Sequence, residues 1–166
     1  MDAEGVPTKE AHGKQGPLKG VKIVELAGIG PGPFCAMLLA DMGADVIKIE
    51  IPQGDKNRYS GPSRHPGMSA MFTACNRNKR SVVLDLKSKE GIAAVIALVD
   101  TADVFMHSVR ASAAERLGFS YEKISARNPR IIYAYAAGYN QDGPKRDRPV
   151  YDDVMQAESG LVGLIR

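Results

Sequence analysis

Short β-branched runs separated by amphipathic stretches constrain this chain more than any other feature. Residues 21–26 (VKIVEL), 45–50 (DVIKIE), 81–86 (SVVLDL), 103–108 (DVFMHS) and 131–136 (IIYAYA) are brief, apolar and rich in Val and Ile. Such runs read as buried strands. Between them the apolar spacing turns helical. Residues 34–42 (FCAMLLADM) follow Pro33, whose missing N–H is tolerated in a first helical turn, and Gly43 is a natural stop. Residues 88–102 place Ile92, Val95, Ile96 and Val99 on one stripe, with Ser88 positioned as a cap. Residues 112–117 and 121–127 predict two short helices, ended by Gly118 and Pro129, and 154–165 predicts one more.

Strand–helix alternation of this kind predicts an α/β fold, a Rossmann-like, mostly parallel sheet with helices on both faces. Ligands of such sheets gather at the carboxyl ends of the strands. That places candidate site loops at 27–33, 51–73, 108–111 and 138–150. The second is rich in Pro and Gly with little periodicity and reads as one long loop, a kind of segment that is commonly functional.

Composition removes several classes of function. At 44% hydrophobic and 25% charged, the 166 residues suit one soluble domain with a core of its own. No apolar run is long enough for a membrane helix. No basic–aromatic pattern for nucleic acid, Ser/His/Asp set or phosphate-binding Gly-x-x-x-x-Gly-Lys-Ser run is present. His12, His65 and His107 lack metal-ligand spacing, so no metal is expected. Two cysteines make no disulfide framework, and Cys35, in an apolar helical run, reads as a small buried hydrophobe. Residues 1–16 are polar, without a signal peptide's apolar stretch, and are expected to be a disordered tail on a cytoplasmic protein.

Four places carry candidate chemistry. The turn 28–33 (GIGPGP) sits where a dinucleotide fingerprint would, and Glu50 ends the second strand at the ribose-binding position. However, its glycine spacing differs from Gly-x-Gly-x-x-Gly, and Pro31 and Pro33 remove two amides that a pyrophosphate would use. Asn76, Arg77, Lys79 and Arg80 precede the third strand, either as a polyphosphate contact or as a solvated strand entrance. Arg110 follows the fourth strand, where it suits a phosphate or carboxylate, or a plain surface role. Tyr151, Asp152 and Asp153 precede the last helix, either complementing its dipole or lining a site.

Taken together, residues 17–50, 76–91 (NRNKRSVVLDLKSKEG), 115–118 (ERLG), 128–133 (NPRIIY) and 142–144 (DGP) resemble the family III CoA-transferases in order and spacing. That family includes formyl-CoA transferase, carnitine CoA-transferases and the α-methylacyl-CoA racemases. The resemblance implies that residues 17–166 are the amino-terminal part of a Rossmann-like, CoA-binding large domain. The rest of that domain and a small domain would lie beyond this chain. It implies an acyl-CoA and a small carboxylic acid as partners, an interlocked homodimer for the full-length protein, and neither nucleic acid nor membrane. CoA transfer would run through an aspartyl anhydride and thioester, on an Asp in a Gly-Asp motif expected past Arg166, leaving this stretch alone without turnover.

By matching position, the resemblance places Ala27, Gly28 and Ile29 beneath the thioester. Asn76, Arg77, Lys79, Arg80, Ser108 and Arg110 would meet the CoA phosphates or adenine, and Tyr151 and Asp152 would border the acyl pocket. Racemases carry a His at the Tyr151 position, and tyrosine is a poor shuttle for an α-proton near neutral pH. Tyr151 therefore favours transferase, although the opening GIGPGPFCAM is racemase-like and an acyl-CoA racemase, or a non-catalytic remnant, remains the alternative. Two departures stand out. Ile51 occupies a position where family members carry Arg, and Ser108-Val109-Arg110-Ala111-Ser112 replaces Asn-Phe-Arg-Pro-Gly.

Overall fold

The computed structural model describes residues 15–28 and 30–165. The strands are β1 (Lys22–Leu26), β2 (Asp45–Glu50), β3 (Arg80–Val83), β4 (Val104–His107) and β5 (Ile132–Tyr135). The helices are α1 (Pro31–Asp41), α2 (Ala70–Asn76), α3 (Lys89–Asp100), α4 (Ala111–Leu117), α5 (Tyr121–Arg127), α6 (Asp152–Glu158) and α7 (Leu161–Leu164). A 3₁₀ turn spans Lys56–Tyr59.

All strand pairs are parallel, in the order β3-β2-β1-β4-β5. The chain winds outward from β1 through β2 to β3, then crosses back to β4 on the other side of β1. This reversal opens a crevice between the carboxyl ends of β1 and β4, where doubly wound sheets bind ligands.

Strand alternation sorts the core into two layers. Val24, Leu26, Ile49 and Phe105 face α3, α4 and α5, where Val95, Val99, Ala114, Phe119 and Ile124 complete one cluster. Ile23, Val46 and Met106 face the other way, onto Ala36 and Ala40 of α1. The small alanines let α1 lie close to the sheet, so helices cover both faces. Each fully buried Val or Ile contributes about 2 kcal/mol by area.

Five expectations are corrected. The long loop 51–73 contains a helix start: Ser69 caps α2 by accepting from the Phe72 amide, and Phe72 is buried. Seven residues with one buried aromatic are too short to display a period. The helix expected over 154–165 divides into α6 and α7, because Gly160 adopts a left-handed φ of 78° and ends the first segment. The first helix starts at Pro31 rather than after Pro33. The third strand covers Arg80–Val83 and stops short of Leu86. Finally, Cys35 is exposed, since α1 turns Ala36, Met37 and Ala40 inward instead. The expected tail lies outside the described residues except for Gln15 and Gly16; Gly16 packs against the Met42 carbonyl.

Candidate functional site

At the carboxyl ends of the strands lies an open cleft of about 1070 Å³. Its walls come from all four predicted loops: Gly28 and Gly30–Gly32 after β1, Ile51 and Gly54–Lys56 after β2, Ser108 and Arg110 after β4, and Gly138, Tyr139, Arg146 and Arg148–Tyr151 after β5. The first and third are tied together directly, because the Gly28 amide donates to Ser108 Oγ at 3.1 Å.

Glu50 borders the cleft but is already engaged. Its carboxylate accepts four hydrogen bonds: from Arg58 Nε (2.7 Å) and Nη2 (2.6 Å), Ser81 Oγ (2.7 Å) and the Asp55 amide (2.9 Å). Arg58 above all, then Ser81 and the Asp55 amide, hold its pKa at about 2 against the opposing effect of burial. A carboxylate saturated in this way has no lone pair to offer a ribose hydroxyl. The geometry therefore removes the feature that made a dinucleotide site worth considering.

The amino end of α4 is likewise filled. Asp147 Oδ1 accepts from the Ser112 amide at 3.1 Å, which satisfies a donor that an anion would otherwise meet. Side-chain cations remain. Lys56 and Arg110 both line the cleft and are exposed, and neither forms an ion pair among the described residues. Arg146 and Arg148 stand on the same rim, the former 3.4 Å from Asp147.

The far wall is built on β5. Tyr135 lines the cleft and stacks on the buried His107 ring at 4.6 Å. Gly138 lets the segment before α6 approach, for a Cβ there would stand 2.4–2.5 Å from the Val150 side chain. That contact seats Tyr151 and Asp152 at the cleft's edge. Tyr151 is exposed, and Asp152 accepts from Gln156 Nε2 one turn along α6.

The residues anticipated from sequence therefore separate into groups. Gly28, Ser108, Arg110, Tyr151 and Asp152 share the cleft. Ala27 lies just beneath it, buried, with its carbonyl accepting from Lys48. Ile29 lies outside the described residues. The cluster Asn76, Arg77, Lys79 and Arg80 is not brought to the cleft. A parallel strand begins at the end opposite its ligand loops, and β3 begins at Arg80. Arg80 pairs instead with Asp45 at the start of β2, and Arg77 with Asp41 at the end of α1. Lys79 is buried against Glu25, and Asn76 accepts from Lys79. Sequence reasoning did not single out Lys56 or Tyr135, whereas Arg146 and Arg148 fall in the predicted site loop 138–150. Lys56 sat within a loop singled out for its length, but nothing in the sequence distinguished it from Arg58, which is consumed by Glu50.

Among the described residues no group of three or more His, Cys, Asp or Glu could hold a metal ion, and no helix is long and apolar enough to cross a membrane.

Comparison with known proteins identifies the family. The family model of CoA-transferase family III matches residues 18–165. A succinate–glutarate CoA-transferase of Agrobacterium fabrum (strain C58 / ATCC 33970) is 41% identical over 155 residues, covering 89% of this chain and 39% of that protein. The succinyl-CoA:glutarate CoA-transferase of Homo sapiens is 40% identical over 147 residues, covering 88% of this chain and 34% of its own. The crystal structure of a CAIB/BAIF family protein from Brucella suis superposes with a TM-score of 0.82 at 41% identity, covering 87% of this chain and 39% of that one. The chain thus spans between 34% and 39% of the length of these relatives.

Proposed function

Since the chain belongs to CoA-transferase family III, we propose that its cleft holds the CoA portion of an acyl-CoA, within an enzyme that passes CoA to a small carboxylic acid. The observation that carries this reading is a set of three cations, Lys56, Arg110 and Arg148, that line the cleft without an ion-pair partner among the described residues. Every basic side chain of the 77–80 segment is neutralised by a carboxylate, whereas these three are left for an anionic ligand. CoA brings a diphosphate and a ribose phosphate, which suits separated cations on opposite walls.

The reaction divides one hard exchange into easier steps. An aspartate carboxylate, which we place beyond residue 166, attacks the acyl-CoA carbonyl. Its O–C bond forms as the C–S bond breaks, and CoA leaves as thiolate. The thiolate then attacks the aspartyl carbonyl of the mixed anhydride, freeing the donor acid as carboxylate and leaving an aspartyl thioester. The acceptor acid reverses the sequence and departs as its own CoA ester. The part of this chain is to hold CoA while its sulfur is detached, so that the thiolate returns rather than diffuses. Ala27, Gly28 and Ser108 form the floor near the thioester, and Tyr135, Tyr151 and Asp152 border the acyl side. A homodimer completes the reading; the exposed Phe34 and Leu38, one turn apart on α1, and Met42 just past its end offer an apolar surface for it.

Calorimetric titration with CoA tests the assignment. A charge-assisted phosphate contact is worth roughly 1.5–3 kcal/mol, so Arg110→Ala and Lys56→Ala are each expected to weaken CoA by about tenfold or more. Arg80→Ala is expected to leave affinity unchanged. Loss of affinity only in Arg80→Ala would contradict the reading.

A further inference from the structure

Two lysines that do not themselves line the cleft hold the ends of its floor. Lys48 is 2% exposed; its ammonium donates to the Ala27 carbonyl at 3.1 Å and to Glu25 Oε1 at 3.3 Å, and it forms an ion pair with Asp55 Oδ2 at 2.9 Å. The Lys79 side chain is equally buried; its ammonium donates to the Pro33 carbonyl at 2.8 Å and to Asn76 Oδ1 at 2.9 Å, and it forms an ion pair with Glu25 Oε2 at 2.7 Å. Each ammonium thus makes two hydrogen bonds and one further ion pair, and Glu25 Oε2 and Asp55 Oδ2 are held by charge rather than by a hydrogen bond.

The carbonyls chosen are informative. Ala27 immediately precedes the glycine loop, and Pro33 immediately follows it. Both lysines converge on one carboxylate, Glu25, which β1 presents opposite Lys48 in the parallel register. With Asp55 included, the group holds two positive and two negative charges. Burying four charges is costly unless their geometry is fixed, and the unit therefore has little freedom to shift. Burial drives the Lys79 ammonium toward its neutral form, and the Glu25 carboxylate opposes this.

We propose that Glu25, Lys48 and Lys79 form a two-point clamp that fixes the two ends of the glycine turn, at Ala27 and Pro33, making them positioning residues for the CoA site. The clamp acts through backbone carbonyls and never meets the ligand. It also reaches the second wall, because Asp55 lines the cleft and closes the cluster from that side. The proposal rests on the cleft being the CoA site, and its test keeps the two apart.

Removing one charge alone would strand its partner in the core, so the informative variant is balanced. Glu25→Gln with Lys79→Met deletes one charge of each sign, leaves the Lys48–Asp55 pair and releases the Pro33 carbonyl. The control, Asp100→Asn with Arg127→Met, removes an exposed pair on the opposite face. Amide hydrogen exchange and calorimetric titration with CoA are measured on the 166-residue chain.

In the first double variant the amides of Gly28 and Phe34, which donate to Ser108 Oγ and the Gly30 carbonyl, are expected to exchange about tenfold faster or more, with β1 and β4 unchanged. CoA is expected to bind about tenfold more weakly, since small displacements in a site carry such losses. The control is expected to change neither. Unchanged loop exchange would overturn the clamp, and faster exchange with unaltered CoA affinity would overturn its service to the site. If the parent chain does not bind CoA, the assignment of the cleft fails, while hydrogen exchange still decides whether the clamp exists.

Discussion

At Glu50 a single carboxylate joins β2, β3 and the loop between β2 and α2. The sign of its pH effect follows from its depressed pKa, about 2 against an ordinary 4.5. The stabilisation is complete above 4.5 and drains away as pH falls toward 2. A shift of that size corresponds to about 3 kcal/mol at neutral pH. Glu50→Gln is expected to lose stability of that order at pH 7 and to converge on the parent near pH 2, as followed by urea unfolding across that range. His107 acts in the neighbouring window. Tyr133 donates to the Phe119 carbonyl at 2.7 Å, so its oxygen accepts from His107 Nε2 at 2.6 Å. Burial keeps this imidazole neutral, with a pKa lowered from 6.5 to about 4. The unfolded chain takes up its proton first, so stability is full above 6.5 and declines as pH drops toward 4. Tyr133 and Tyr135, the titratable rings against it, carry no charge in that window. His107→Phe is expected to flatten that limb of the stability profile, and an unchanged slope would contradict the buried neutral histidine.

Elements are where sequence and structure can be compared most directly. Strands β1, β2 and β4 were legible because both their faces are covered, which forces continuous apolar runs. Helix α3 was legible from its stripe and its cap: Ser88 Oγ accepts from the Gly91 amide at 3.0 Å. Ser88→Ala is expected to cost about 1 kcal/mol in thermal unfolding. Gly91 carries more than its sequence shows, since a Cβ there would stand 2.1 Å from the Asp85 carbonyl oxygen. Gly91→Ala is therefore expected to destabilise well beyond the gain in helix propensity, by about 2 kcal/mol or more. Helix α2 and the break at Gly160 were not legible, because short helices are set by tertiary contacts rather than by period. The loops of the site were legible from topology, but the pairing of their charges was not. Arg77 and Arg80 looked as available as Lys56 until the fold supplied Asp41 and Asp45 as their partners.

At the scale of the whole molecule, the doubly wound order creates one opening at the carboxyl ends of its strands, and both cofactor readings compete for it. The dinucleotide reading needs a free acid at the end of β2 and amides at the start of α1. The fold has committed Glu50 to four donors and placed Pro31 and Pro33 in the turn. The CoA reading needs unpaired cations around the rim, and Lys56, Arg110 and Arg148 meet that need. The most direct test is thermal unfolding of this chain with excess CoA and, separately, with excess NAD. A ligand present at a hundred times its Kd adds about 2.7 kcal/mol to the folded state. The expected result is a rise of several degrees in Tm with CoA and none with NAD. A rise with NAD alone would contradict the assignment of the cleft.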